Sequence, residues 1–161
     1  MIQRTLTWLS GTVPERLMLL FVRITLAGVF WRSGRTKVVE GSWLTISDST
    51  YDLFREDYAN VPLPPEFAAL MSTIAEHAFP LLLVVGLMSR LSALALLGMT
   101  MVIQIFVFPE AWWSVHSLWV ALALVIIMRG PGRFALDRFI VGQFSVGQNA
   151  TDLLVARRQP G

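Results

Sequence analysis

The stretch that decides the fold is "MSTIAEHAFPLLLVVGLMSRLSALALLGMTMVIQIFVF", residues 71–108. It holds most of two apolar runs, from Phe67 to Met88 and from Leu91 to Phe108, with little more than "SRL" between them. A helix needs roughly 20 mostly apolar residues at about 1.5 Å each to cross a bilayer, so each run can span. A connection this short joins only antiparallel neighbours. The stretch therefore predicts a transmembrane helical hairpin.

Two further apolar runs flank this hairpin. One precedes it and is interrupted by Arg23, and the other follows the connection "PEAWW". Pro65 marks a helix start, whereas Pro109 and the "GPG" at 130–132 mark helix ends. We predict an all-α membrane protein, a four-transmembrane-helix up-down bundle, with spans at about 14–35, 66–88, 91–108 and 111–128. Residues 1–142 form the single domain, and residues 143–161 form a polar cytoplasmic tail.

The composition excludes several classes of protein. Hydrophobic residues make up 55% of the chain and charged residues 15%, whereas soluble domains carry about 25% charged residues. The absence of cysteine excludes disulfides, thiolate-bound iron–sulfur clusters and covalently attached haem. A net charge of +2 is too small to indicate a nucleic-acid surface. The N-terminal stretch lacks a small-residue cleavage site, so we expect it to be retained.

The basic residues favour one orientation in the membrane. Cytoplasmic loops carry an excess of Lys and Arg, and this predicts cytoplasmic N- and C-termini. The basic cluster at 32–37 lies on the external side and opposes the bias. The cytoplasmic side then holds Arg4, Arg16, Arg90, Arg129, Arg133, Arg138, Arg157 and Arg158.

Two segments outside the spans have helical patterns. In the external loop at 40–65, Ser47 or Asp48 can cap a short helix with Tyr51, Phe54 and Tyr58 on one face. That face either rests at the membrane interface or docks a partner. The stretch "RFALDRFIVGQF", residues 133–144, predicts an interfacial helix on the cytoplasmic side.

Charged residues within the spans predict a polar core. Counted from the span ends, Arg23 lies roughly 13 Å deep and Glu76 roughly 15 Å deep in a core about 30 Å thick. An unpaired charge there costs about 2.5–3.5 kcal/mol on insertion scales, so we predict an Arg23–Glu76 ion pair. Ser72 and His77 are close enough in sequence to join it. The group either staples two spans together or binds a ligand or protons, and no nucleophile or second carboxylate makes it a catalytic dyad.

A second polar group is predicted near the external surface. It comprises Arg32, Lys37, Gln104 and His116, with three tryptophans around the histidine. It is either an interfacial belt whose basic residues reach lipid headgroups or a mouth that binds an anionic or aromatic headgroup such as a quinone ring. The depths of His77 and His116 match poorly, which disfavours a bis-histidine haem, and the spacings indicate no metal site.

The chain resembles the DoxX family of small bacterial membrane proteins. The resemblance rests on Arg23, Gly28 and "FWRSGRTKV" (30–38), then on Glu76 and "LLLVVGLMSRLSALALL" (81–97), and finally on "GPGRFALDRF" (130–139). It covers roughly residues 15–140 and implies a four-span inner-membrane protein, in a family named after a quinone-linked oxidoreductase subunit and associated with redox and stress systems, usually beside a soluble partner. Relatives often carry histidine just before Gly34, where this chain has Ser33.

Two functional hypotheses remain open. In the first, the chain is an accessory membrane subunit of a redox or stress-response system and binds a quinone or similar lipophilic ligand in the bundle, with Arg23 and Glu76 as the polar anchor. In the second, it is a non-catalytic small-solute carrier or a scaffold for a soluble partner. The expected partners are membrane lipids, a soluble redox protein and further copies of the chain. The chain has no complete catalytic constellation of its own.

Overall fold

A computed structural model describes residues 12–137, which are helical apart from turns and a single β-bridge between Val38 and Ile46. The predicted tail at 143–161 and most of the predicted helix at 133–144 lie outside the described residues. The helices are α1 (Thr12–Thr36), α2 (Asp48–Glu56), α3 (Pro65–Val85), α4 (Ser89–Phe106) and α5 (Ser117–Arg129). A 3₁₀ turn (Pro109–Ala111) and a π-helical turn (Trp112–His116) lead into α5.

Three segments of the described chain are long and apolar enough to cross a membrane. They are Pro65–Val85, Ser89–Phe106 and Pro109–Arg129. They match the predicted spans at 66–88, 91–108 and 111–128 to within a few residues, because the proline and glycine signals mark the ends well. The chain is therefore a helical membrane protein, while the count of four spans stays a prediction.

The long helices surround one apolar core. α1 packs against α3 and α5, and α4 packs against the same two helices. Leu26, Phe30, Leu83, Leu96 and Ile126 meet in this core and are almost fully buried. Many large apolar side chains face outward instead. Such an apolar surface would promote aggregation in water, but it suits contact with lipid.

The short helix α2 in the 40–65 loop confirms the predicted cap. The Ser47 hydroxyl accepts a hydrogen bond from the Thr50 amide at 3.3 Å. Phe54 is buried against Ala68 and Ala69 of α3, and Tyr51 and Tyr58 pack beside it. The aromatic face of α2 therefore covers the start of α3.

The segment 130–137, which we call the closing segment, runs back across the α3–α4 turn. Ala135 is buried against Gly86, where an added Cβ would lie 2.6 Å from the alanine. Gly86 also has a φ of +77°, so both the backbone and the close approach require glycine. The Asp137 carboxylate accepts hydrogen bonds from the amides of Met88 and Ser89, at 2.6 and 2.9 Å, and so caps α4.

Candidate ligand-binding site

A buried ion pair joins the end of α1 to the middle of α3. Lys37 Nζ lies 2.7 Å from Glu76 Oε2, and the two side chains are 7% and 2% exposed. Ser33 Oγ accepts a second hydrogen bond from Lys37 Nζ at 3.2 Å. The Ser72 hydroxyl donates to Glu76 Oε1 at 3.4 Å, a long contact. Glu76 is thus neutralised as predicted, but by a different cation.

The backbone around Lys37 turns this side chain inward. Lys37 directly follows the end of α1, and its amide donates to the Gly34 carbonyl. Its own carbonyl accepts from the Ser47 amide at 3.1 Å and from Thr50 Oγ1 at 2.9 Å. The cap of α2 therefore fixes the position of Lys37. The prediction that Lys37 lines a mouth together with His116 is not what the structure shows, because the lysine lies in the polar core.

Gly34 lets α1 approach α3 closely beside the ion pair. A Cβ at this position would lie 3.0 Å from the His77 ring and 3.1 Å from Glu76 Cβ. Trp31 packs edge-on against His77, with ring centroids 5.2 Å apart. His77 Nδ1 lies 2.8 Å from the Thr73 carbonyl. Because a carbonyl only accepts, we assign the proton to Nδ1, so in the neutral ring the buried Nε2, which has no partner among the described residues, is an acceptor.

The predicted Arg23–Glu76 pair is wrong. The Arg23 guanidinium donates to three carbonyls, those of Pro131 at 2.9 Å, Phe134 at 3.0 Å and Val84 at 3.3 Å. Val84 follows Glu76 by eight residues, so the two charges lie roughly 12 Å apart along α3. The predicted pair assumed that the first span begins at Pro14, which would put Arg23 level with the middle of α3. In the structure, Arg23 lies level with the C-terminal end of α3. Arg23 instead holds the closing segment against the bundle.

A cavity of about 230 Å³ opens beside the ion pair. Ser72 links the two, because it lines the cavity and also contacts Glu76. Tyr58 lines the cavity as well, stacked on Phe54 with ring centroids 4.3 Å apart. Burial raises the pKa of Tyr58 to about 12, with Glu76 and Asp57 adding to the shift. The phenol therefore remains an O–H donor at physiological pH. The remaining wall is largely apolar and includes Met71, Met99, Val102 and Ile103.

The second predicted group is only partly assembled. His116 is buried, with Nδ1 2.7 Å from Gln104 Oε1, and Gln104 Nε2 donates to the Pro109 carbonyl at 2.7 Å. The His116 ring lies 5.2 Å from the Trp119 ring. Arg32 is exposed and makes no hydrogen bond or ion pair within residues 12–137. Gln104 and His116 thus stabilise the turn before α5 by hydrogen bonding, whereas Lys37 lies in the polar core beside Glu76.

Two residues of the candidate site were not predicted as such. Tyr58 was assigned only to the apolar face of α2, and Ser33 only to a position where relatives carry histidine. The apolar period of α2 did indicate that Tyr58 would be covered. Which surface covers it depends on how the loop folds back over α3. Ser33 lies one turn before Lys37, a spacing at which side chains on a helix meet.

No group of three or more His, Cys, Asp or Glu residues within residues 12–137 is arranged to hold a metal ion. The polar core offers hydrogen-bond donors and one carboxylate–ammonium pair.

Comparison with known proteins places the chain in a family. The DoxX family model matches residues 18–109, which include both members of the ion pair. An uncharacterized protein from Haemophilus influenzae is 28% identical over 137 residues, covering 76% of this chain and 82% of that one. No solved structure matches the chain. The motifs, the apolar helices and the family match agree, and the chain belongs to the DoxX family of membrane proteins.

Proposed function

We propose that the protein is an accessory membrane subunit of a redox or stress-response system and binds the ring of a quinone, or of a similar lipophilic molecule, in the cavity beside Lys37 and Glu76. The observation that carries this proposal is the position of Ser72. Its hydroxyl lines an apolar cavity and lies only 3.4 Å from a buried carboxylate. The proposal concerns binding, and the electrons would come from a soluble partner.

The buried charges support a binding role. A hydrophobic pair of similar volume is often as stable as a buried ion pair, and ionisable groups within spans usually mark functional sites. Holding two helices together would therefore not require a buried Lys37–Glu76 pair, since apolar side chains could do so without the cost of desolvating two charges. Beside an apolar cavity, burial keeps the Tyr58 phenol protonated, so it can donate to a carbonyl oxygen, and the Ser72 hydroxyl can do so by exchanging its long contact with Glu76 for one with the ligand.

The size and lining of the cavity fit a ring better than a long chain. Drug-sized pockets occupy about 300–1,000 Å³, and this one measures about 230 Å³. A substituted six-membered ring would fill it, and an isoprenoid tail would lie in the lipid. Apolar side chains with one or two donors are the usual lining of such sites.

The same proposal includes the topology. α1 makes the fourth crossing. It packs against α3 and α5, which belong to two of the three membrane-length segments. Arg16, Arg90, Arg129 and Arg133 lie at the closing-segment end, which the positive-inside rule assigns to the cytoplasm. The chain then has both termini in the cytoplasm of a bacterium, and the Lys37–Glu76 pair lies towards the external side.

A binding measurement tests the proposal. The full chain in nanodiscs is titrated with a short-tailed quinone, and binding is followed by tryptophan fluorescence. Ala75→Leu fills the cavity and should weaken binding at least tenfold, because Ala75 lies in its wall. Ser72→Ala should weaken it about fivefold, the equivalent of one hydrogen bond.

The matched control is Ala121→Leu, which adds the same side chain on the exposed surface of α5. It should bind the quinone like the parent chain. Equal binding by the Ala75→Leu and Ala121→Leu variants would contradict the proposal. Preparations that never hold quinone but retain a soluble partner protein would favour the scaffold role instead.

A further inference from the structure

A second cavity in the described chain lies at the other end of the bundle from the Lys37–Glu76 pair. It measures about 760 Å³ and is bounded by the start of α1, the start of α4 and the closing segment. We call it the basic basin, because four arginines and two carboxylates line it. These residues are Arg16, Arg90, Arg129, Arg133, Glu15 and Asp137.

Both carboxylates of the basin are already engaged. Glu15 pairs with Arg129 at 3.1 Å. Both Asp137 oxygens accept hydrogen bonds from backbone amides at the start of α4. Within residues 12–137, no carboxylate lies within ion-pair distance of Arg16, Arg90 or Arg133. The four guanidinium groups outnumber the two carboxylates, so the cavity carries a net charge of +2.

The rest of the sequence offers little to neutralise them. Outside residues 12–137 the only acidic side chain is Asp152, whereas Arg4, Arg138, Arg157 and Arg158 add further positive charge. The described part of the basin therefore carries an excess of positive charge that an anion would balance.

A fully buried hydroxyl also adjoins the basin. Ser89 lines the basin and is fully buried, and its hydroxyl has no hydrogen-bond partner among the described residues. Buried hydroxyls are normally paired. Apolar side chains complete the surroundings, since Met88 and Leu91 line the same cavity and are about half exposed.

We propose that the basic basin binds the headgroup of an anionic phospholipid. Arg16, Arg90 and Arg133 contact the phosphate, while the first acyl carbons lie on Met88 and Leu91. A guanidinium matches a phosphate with two parallel hydrogen bonds, and basic pockets between helices at the cytoplasmic surface suit anionic headgroups. The apolar rim favours a lipid over a soluble phosphate, because a soluble phosphate has no apolar part to pack against Met88 and Leu91. This site is independent of the quinone cavity.

Lipid competition in nanodiscs tests the site. The full chain is titrated with a fluorescent phosphatidylglycerol in phosphatidylcholine nanodiscs, and exchange is followed by energy transfer from tryptophan. We expect phosphatidylglycerol to bind in preference to labelled phosphatidylcholine. Arg90→Gln and Arg133→Gln should each weaken its binding about fivefold, the usual value for one basic residue at an anionic surface. The double variant should weaken binding more than either single variant, and the two losses should not simply add, because both guanidinium groups contact one phosphate.

Arg32→Gln is the matched control, since Arg32 is exposed on α1 and does not line the basin. It should leave the affinity unchanged. Melting temperatures of the variants show that they fold, as expected for exposed side chains. The proposal is overturned if Arg32→Gln weakens binding as much as Arg90→Gln, or if both lipids bind equally. It is also overturned if inorganic phosphate displaces the lipid, because the site would then take a soluble anion.

Discussion

Two cations contributed by α1 and the residue after it are buried, and the chain satisfies them in opposite ways. Lys37 faces the Glu76 carboxylate in an ion pair, with Ser33 as a second acceptor. Arg23 faces three backbone carbonyls of two separate segments and makes no ion pair within the described residues. One charge is paired with an opposite charge, and the other is hydrogen-bonded to backbone carbonyls.

The difference follows from the shapes of the two cations. The arginine guanidinium is a rigid fork with five N–H donors, so it can join α3 and the closing segment at several points. The lysine ammonium is compact and has three donors, and a single carboxylate provides most of what it needs. Arg23 therefore serves as a structural clamp, whereas the Lys37–Glu76 pair leaves a hydroxyl and a cavity accessible beside it.

The largest expected effect comes from breaking the ion pair. Glu76→Leu leaves the ammonium of Lys37 buried without a partner and should lower the free energy of unfolding by about 3–5 kcal/mol. Adding Lys37→Met removes the orphaned charge and should restore most of the loss. Unfolding of the purified protein in detergent measures both values.

The control for this pair is Glu66→Leu, because Glu66 lies on the same helix in an exposed ion pair with Arg55. Such surface pairs contribute about 1 kcal/mol or less. If the loss of stability in the double variant equals the sum of the losses in Glu76→Leu and Lys37→Met, the two side chains do not stabilise each other.

A smaller loss is expected at the clamp. Arg23→Lys keeps the charge but cannot reach all three carbonyls, so it should destabilise the protein by about 2–3 kcal/mol. Because Arg23 and Glu76 are far apart, adding Glu76→Leu to Arg23→Leu should give losses that add to within about 0.5 kcal/mol. Unfolding in detergent again provides the measurement.

A rescue of Arg23→Leu by Glu76→Leu would contradict the separation of the two sites and restore the pairing predicted from depth. Arg32→Leu, an exposed change on the same helix, should alter stability by no more than about 0.5 kcal/mol. It separates the clamp from a general effect of removing charge.

The smallest effect is a pH dependence at Tyr58. Its pKa in the folded protein is about 12, against about 10 in an unfolded chain. Between these values the unfolded state has lost the proton and the folded state keeps it, so stability should fall with rising pH by about 1.4 kcal/mol per pH unit. Denaturant unfolding at several alkaline pH values should reveal the slope.

Tyr58→Phe should remove this slope, and Tyr51→Phe, the change at the other tyrosine, should keep it. A slope that persists in the Tyr58→Phe variant would show that the phenol is not buried beside Glu76. The same experiment therefore sharpens the description of the Lys37–Glu76 end of the molecule.

Much of the fold could be predicted because its signals are local. Apolar runs between Pro65, Pro109 and the 130–132 turn predicted three spans, and Ser47 predicted the cap of α2. The family motifs drew attention to Arg23, Lys37 and Glu76. The partners of those side chains could not be predicted, since depth along a helix requires a known starting point, and the pairing also depends on helix rotation.

The sequence by itself determined that this is a helical membrane protein of the DoxX family and that its few charged residues within helices need partners. Only the tertiary structure decided which partners they have. The loop after α1 folds back on the cap of α2 and carries Lys37 to Glu76, and the closing segment brings its carbonyls to Arg23. Contacts between residues distant in sequence depend on how irregular segments fold over the helices, and no local periodicity encodes that.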